Sequence, residues 1–275
     1  MERVSRSVTG FPRTRRSPEG LGERSGRPGK PERPSLMPRD FVLVHGMSHG
    51  AWCWERLEPL LRRAGHRVLA VDLPGHGRRA HERGRASIGS YARAVADAMA
   101  LAGVHHGVLV GHSMAGAVIP KVAELVPSRI GHLVFLAAVV LPNGGSSLAD
   151  QFPPALRELF LGHARSGGGV VQYAATLEWS RWMGDLPRGD ERAVQALARL
   201  TPQPLRPWME RVDLSRFYAM RIPRTYVRCL QDLAVPPARA AEYAARLGVV
   251  PIDLDTAHNP MLSNPEALAK ILESV

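Results

Sequence analysis

Beyond residue 40, short and wholly apolar runs alternate with stretches in which apolar residues recur at helical spacing. Phe41-Val42-Leu43-Val44 reads as a strand ending in His45-Gly46. In 51–64 the apolar residues Trp54, Leu57, Leu60, Leu61 and Ala64 fall on one helical face, and Gly65 closes the segment. A second strand is predicted over 67–73, broken by Pro74-Gly75-His76-Gly77, and then a helix over 87–102 with Ser87 as its cap. Strand, helix and strand follow at 107–110, 114–125 and 133–140.

The alternation then stops. Residues 141–217 contain Pro/Gly-punctuated helical pieces with Trp179, Trp182 and Trp208, and no convincing strand. It resumes with a strand at 224–230, a helix near 237–247, a strand at 249–254 and a last helix from about 264. Continuous apolar strands alternating with helices predict an α/β fold with a mostly parallel, doubly wound sheet. The expected organisation is a core of 39–140 and 218–275, with 141–217 inserted as a helical cap.

Composition narrows the function classes. The chain has 275 residues, 45% of them hydrophobic, and its longest apolar run, 133–141, is less than half of a bilayer-spanning helix. Two cysteines, Cys53 and Cys229, support neither a disulfide framework nor a zinc site and suit a reducing compartment. With no secretory or twin-arginine signal after Arg15-Arg16, a cytoplasmic location is expected. The net charge of +11 includes +5 from residues 1–40; the rest is spread without a dense basic run, which argues against nucleic-acid binding. Only Lys30, Lys121 and Lys270 among the 36 basic residues are lysine, a bias of genome composition rather than of phosphate recognition. Residues 1–38 are rich in Arg, Ser, Gly and Pro and lack an apolar period, so a disordered leader is expected, with Met37 as an alternative start.

Gly111-His112-Ser113-Met114-Ala115-Gly116 stands where an apolar strand gives way to a helix. A serine on such a sharp turn projects its hydroxyl over the carboxyl edge of the sheet, and the helix start offers free N–H groups to an oxyanion. Ala115 replaces the second glycine of the usual G-x-S-x-G pattern, a change of one methyl that the turn absorbs. A serine needs a base, and the base needs a group that fixes its tautomer. In chain order Ser, Asp, His, the candidates are Asp232 after the strand at 224–230 and His258 after the last strand. Asp253 and Asp255 are weaker rivals, because they precede His258 on the same strand end. The two backbone N–H groups of the oxyanion hole are assigned to Met47 and Met114, with Trp52 near an apolar floor. His45 reads as a satisfied core histidine and His112 as packing; His66, His81, His105, His106, His132 and His163 read as surface or strand-edge residues.

These segments resemble the α/β-hydrolase superfamily, and within it the plant methylesterase/hydroxynitrile lyase group and its bacterial relatives. The resemblance is carried by Phe41-Val42-Leu43-Val44-His45-Gly46-Met47-Ser48-His49-Gly50-Ala51-Trp52-Cys53-Trp54, Asp72-Leu73-Pro74-Gly75-His76-Gly77, the serine turn and His258-Asn259-Pro260-Met261-Leu262-Ser263. It implies a cofactor-independent serine carboxylesterase acting on small, fairly apolar esters, as a monomer or homodimer and with no metal. Lyases of this group carry a threonine where this chain has Gly46 and a lysine where it has Asn259, so both positions favour ester hydrolysis. Lactone or carbon–carbon bond hydrolysis on the same residues, and a small-molecule receptor with slow hydrolysis, are the remaining alternatives.

Overall fold

The computed structural model describes residues 37–172 and 175–275; the leader expected at 1–38 lies almost wholly outside them. Among the described residues eight strands occur in chain order: β1 Asp40–Val44, β2 Arg67–Val71, β3 Gly107–His112, β4 Ile130–Leu136, β5 Val170–Val171, β6 Gln203–Pro204, β7 Arg224–Cys229 and β8 Ile252–Leu254. Six of them form one sheet in the order β2-β1-β3-β4-β7-β8, and every neighbouring pair is parallel. Phe41 to Val44 and all of β3 are buried, as strands covered by helices on both faces must be.

The sheet order fixes where a site can form. From β1 the chain winds outward to β2, then returns to lay β3 on the other side of β1. The loops leaving the carboxyl ends of β1 and β3 therefore diverge, opening the crevice in which doubly wound sheets bind ligands. Those loops hold Met47 and Ser113.

Several elements are shorter than the apolar pattern predicts. β4 ends at Leu136 although residues 137–140 are apolar and buried, because Ala137 takes a φ of 44° and turns the chain. The helix expected over 51–64 is a 3₁₀ turn, Ala51–Trp54, and then a helix, Glu58–Arg63. The serine turn likewise opens as a 3₁₀ helix, Ser113–Ala117, before the helix Ile119–Leu125. Ser87 caps the helix Ile88–Leu101 in a reciprocal pair with Ser90, as its position predicts.

Between β4 and β7 the stretch is mainly helical, including Pro154–Ser166, Ala175–Trp182 and Glu191–Arg199. It also contains a two-residue antiparallel ribbon, β5 with β6, that the sequence pattern does not reveal.

Candidate active site

β3 ends at His112, and the next residue, Ser113, has a φ of 53°. A non-glycine side chain rarely occupies that region, and the turn is held because the Val139 N–H donates to the Ser113 carbonyl at 3.0 Å. A Cβ at Gly116 would collide with the Val139 carbonyl oxygen, so it is Gly116 that lets the two segments pass. Ala115 is fully buried without such a conflict. The close approach has moved one residue along from the usual pattern.

Asp232 and His258 follow β7 and β8, and their loops stay paired beyond the sheet. The Leu230 N–H donates to Leu254 O and the Gln231 N–H to Thr256 O, each at 2.9 Å. This pairing brings His258 Nδ1 to 2.6 Å from Asp232 Oδ2, while His258 Nε2 lies 2.8 Å from Ser113 Oγ. Asp232 Oδ1 accepts from the N–H groups of Ala234 and Val235 at 2.7 and 2.9 Å, which fixes its orientation. Asp232 and His258 are buried and Ser113 is partly open. The rival acids are engaged elsewhere: Asp253 pairs with Arg228, and Asp255 accepts from Gln231 Nε2.

Met47 and Met114 both line the cavity above Ser113. The orientation of the Met47 N–H follows from His45. His45 Nδ1–H donates to Gly46 O at 2.8 Å, and its Nε2 accepts from the Leu73 N–H at 3.1 Å. In a trans peptide the C=O and the following N–H point in opposite directions, so holding Gly46 O also fixes the Met47 N–H. Burial lowers the His45 pKa to about 3, which keeps this tautomer neutral.

Sequence reasoning assigned no role to His49 and too little to His112. Burial lowers the pKa of His49 to about 4, and its Nδ1–H donates to Met47 O at 2.7 Å. His112 Nε2–H donates to the His258 carbonyl at 2.9 Å, and its ring centroid stands 4.7 Å from that of His258. Burial and the neighbouring His258 hold the His112 pKa well below its ordinary value. His66 is buried rather than on the surface, its Nδ1 accepting from the Arg39 N–H.

The cavity above Ser113 is narrow, about 30 Å³. Phe152, Trp182, Trp208 and Val235 form its apolar wall, with Gln151 and Arg181 as polar members. Trp52 is not part of it; its ring stacks on His49 and lies under Arg199. Among the described residues there is no cluster of His, Cys, Asp and Glu that could hold a metal ion, and no helix is long and apolar enough to cross a membrane.

Residues 41–271 match the model of the alpha/beta hydrolase family. The chain is 33% identical over 250 residues to putative methylesterase 11, chloroplastic, of Arabidopsis thaliana, covering 84% of this chain and 62% of that protein. It is 30% identical over 256 residues to a pyrethroid hydrolase of Sphingobium wenxiniae, covering 85% and 86%. For several of the curated relatives the match spans about half their length, 46% of the rice probable esterase PIR7A for example. Among solved structures, an extracellular alpha/beta-hydrolase from a Paenibacillus species superposes with a TM-score of 0.79 at 27% identity, over 86% of this chain and 98% of that one. That protein is described as sharing structural and functional homology with Tobacco Salicylic Acid Binding Protein 2. On the match over 41–271 and these relatives, the chain belongs to the alpha/beta hydrolase family.

Proposed function

We propose that this protein is a serine carboxylesterase that hydrolyses small, fairly apolar esters through an acyl-enzyme. The observation that carries this reading is the chain of contacts from Ser113 Oγ through His258 to Asp232, at 2.8 and 2.6 Å. With Nδ1–H donating to Asp232, His258 Nε2 is left to take the Ser113 proton as the hydroxyl attacks the ester carbonyl. The imidazolium that forms is stabilised by Asp232 and then protonates the departing alcohol. The N–H groups of Met47 and Met114 hold the oxyanion, each donor of this kind being worth about 3 kcal/mol in the transition state. Water, deprotonated by His258, then releases the acid from Ser113.

The apolar wall suits apolar acyl or alcohol groups, and the relatives named as methylesterases, pyrethroid hydrolase and esterase fit the same chemistry. In this reading the stretch between β4 and β7 is the cap that shapes the pocket. The reading includes no cofactor, no metal and no nucleic-acid partner, and takes a cytoplasmic monomer or homodimer.

An organophosphorus ester such as diethyl p-nitrophenyl phosphate tests the assignment by intact-mass analysis. A single diethylphosphoryl adduct on Ser113, absent from Ser113→Ala, is expected. An adduct that persists in the variant, or none on a folded wild-type protein, overturns the assignment.

A further inference from the structure

The peptide unit joining Met47 to Ser48 is held at both ends. Its carbonyl accepts from His49 Nδ1, and its N–H donates to Gln203 Oε1 at 3.1 Å. The next carbonyl, Ser48 O, accepts from the Thr201 N–H at 2.8 Å and the Thr201 hydroxyl at 3.3 Å. Both backbone groups of Ser48 are thus bound by residues 201–203. Ser48 also takes a φ of 59°, a conformation that a non-glycine residue keeps only where its surroundings enforce it.

Gln203 is fully buried, and every polar group of its side chain is engaged. Besides Ser48 N–H, Oε1 accepts from His76 Nε2–H at 3.0 Å, and Nε2 donates to Pro204 O at 2.9 Å. An amide so placed costs free energy to bury unless it is fully partnered, and its partners here include the loop after β1 and the turn after β2. Five residues further on, Trp208 stands in the wall of the cavity above Ser113. The same chain segment therefore carries part of the cavity wall and the clamp on the loop beneath it.

We infer that Gln203, assisted by Thr201, is a positioning residue that works with His45 to place the Met47 N–H for the oxyanion, holding the chain on the Ser48 side of Met47, so that the hole is fully formed only while the 201–208 segment is seated. This rests on the esterase reading above. Gln203 touches no reacting atom; it acts through Ser48. His45 holds the Gly46–Met47 peptide that carries this N–H, and the clamp holds the Met47–Ser48 peptide that follows it. Without Gln203 the chain on that side of Met47 loosens, and a displaced donor weakens the transition state more than the bound ester.

The test compares wild type with Gln203→Met, of similar length but without the acceptor, and Gln203→Glu, which restores an acceptor. Active sites are titrated with diethyl p-nitrophenyl phosphate, and p-nitrophenyl butyrate turnover is expressed per titrated site. The expected result is a kcat lowered about ten- to a hundredfold in Gln203→Met, less than the full loss of a donor. KM should stay within about twofold, the affinity for an alkyl trifluoromethyl ketone should fall in parallel with kcat, and Gln203→Glu should recover part of the loss. Should Gln203→Met not fold, Gln203→Asn, whose amide stops one methylene short of Ser48, is measured in its place. A purely structural role lowers the titrated fraction and leaves kcat per site within about twofold of wild type, which overturns the inference. A wild-type protein with no Ser113-dependent turnover overturns the esterase reading itself.

Discussion

A Cβ on Gly46 would stand 2.8 Å from the Cβ of Ser113 and 2.9 Å from Nδ1 of His112. Neither neighbour is free to retreat. Ser113 sits on a strained turn, and His112 is fully buried with its other nitrogen bonded to the His258 carbonyl. Glycine at this position thus keeps the floor beneath the nucleophile thin enough for a tetrahedral centre.

Gly46→Ala should therefore destabilise the fold by ~1–3 kcal/mol, the usual effect of overpacking, and lower ester turnover as Ser113 is pushed off His258. Urea unfolding and kcat measured together check this. An unchanged unfolding midpoint with wild-type turnover would contradict it.

At the serine turn, the critical glycine should be Gly116 rather than the residue before it. Gly116→Ala drives a methyl into the Val139 carbonyl, on the same segment whose N–H holds Ser113, so a loss at or above ~3 kcal/mol is expected. Ala115→Gly should cost only ~1 kcal/mol, from the flexibility gained by the unfolded chain and a small cavity. Thermal melts of the two variants decide, and the reverse order would refute this account of the turn.

Asp232→Asn keeps the shape of the residue but removes the charge that fixes the His258 tautomer. Its expected effect is a fall in kcat of about 10³–10⁴, with little change in stability because one side-chain oxygen can still accept from Ala234 and Val235. Steady-state kinetics beside a thermal melt measure both. A kcat within tenfold of wild type would assign the acid elsewhere.

His45 and His49 give the protein an acid limit. Folded, they protonate only near pH 3 and 4; unfolded, they protonate near 6.5. Between those values the unfolded chain binds more protons, so their contribution is fully present above about pH 6.5 and declines as pH falls toward 3. Urea midpoints taken between about pH 7.5 and 4.5 should drop steadily below 6.5, with a shallower slope in His45→Gln. A flat profile would show that these histidines do not stay neutral in the fold.

Much of this arrangement was legible in the sequence, because it depends on local patterns. Apolar runs placed the six main strands, and strand ends placed Ser113, Asp232 and His258, which the structure brings within hydrogen-bonding distance. Strand limits were less legible: the apolar run through 137–140 is buried beyond the end of β4, and burial alone does not report that Ala137 turns the chain. Gln203 gave no signal, since a polar residue between prolines reads as loop. Its burial depends on Ser48 and His76, 155 and 127 positions away. The bonds of His49 and His112 were hidden for a related reason, as a histidine's partner is set by tertiary contacts and not by its neighbours in the chain.

The most direct test of the central claim is the hydrolysis of p-nitrophenyl acetate and butyrate by the wild-type protein and by Ser113→Ala, each shown to be folded. The account predicts turnover by the wild type that falls to background in the variant. Equal rates in the two, or a folded wild type inert toward both esters, would contradict it.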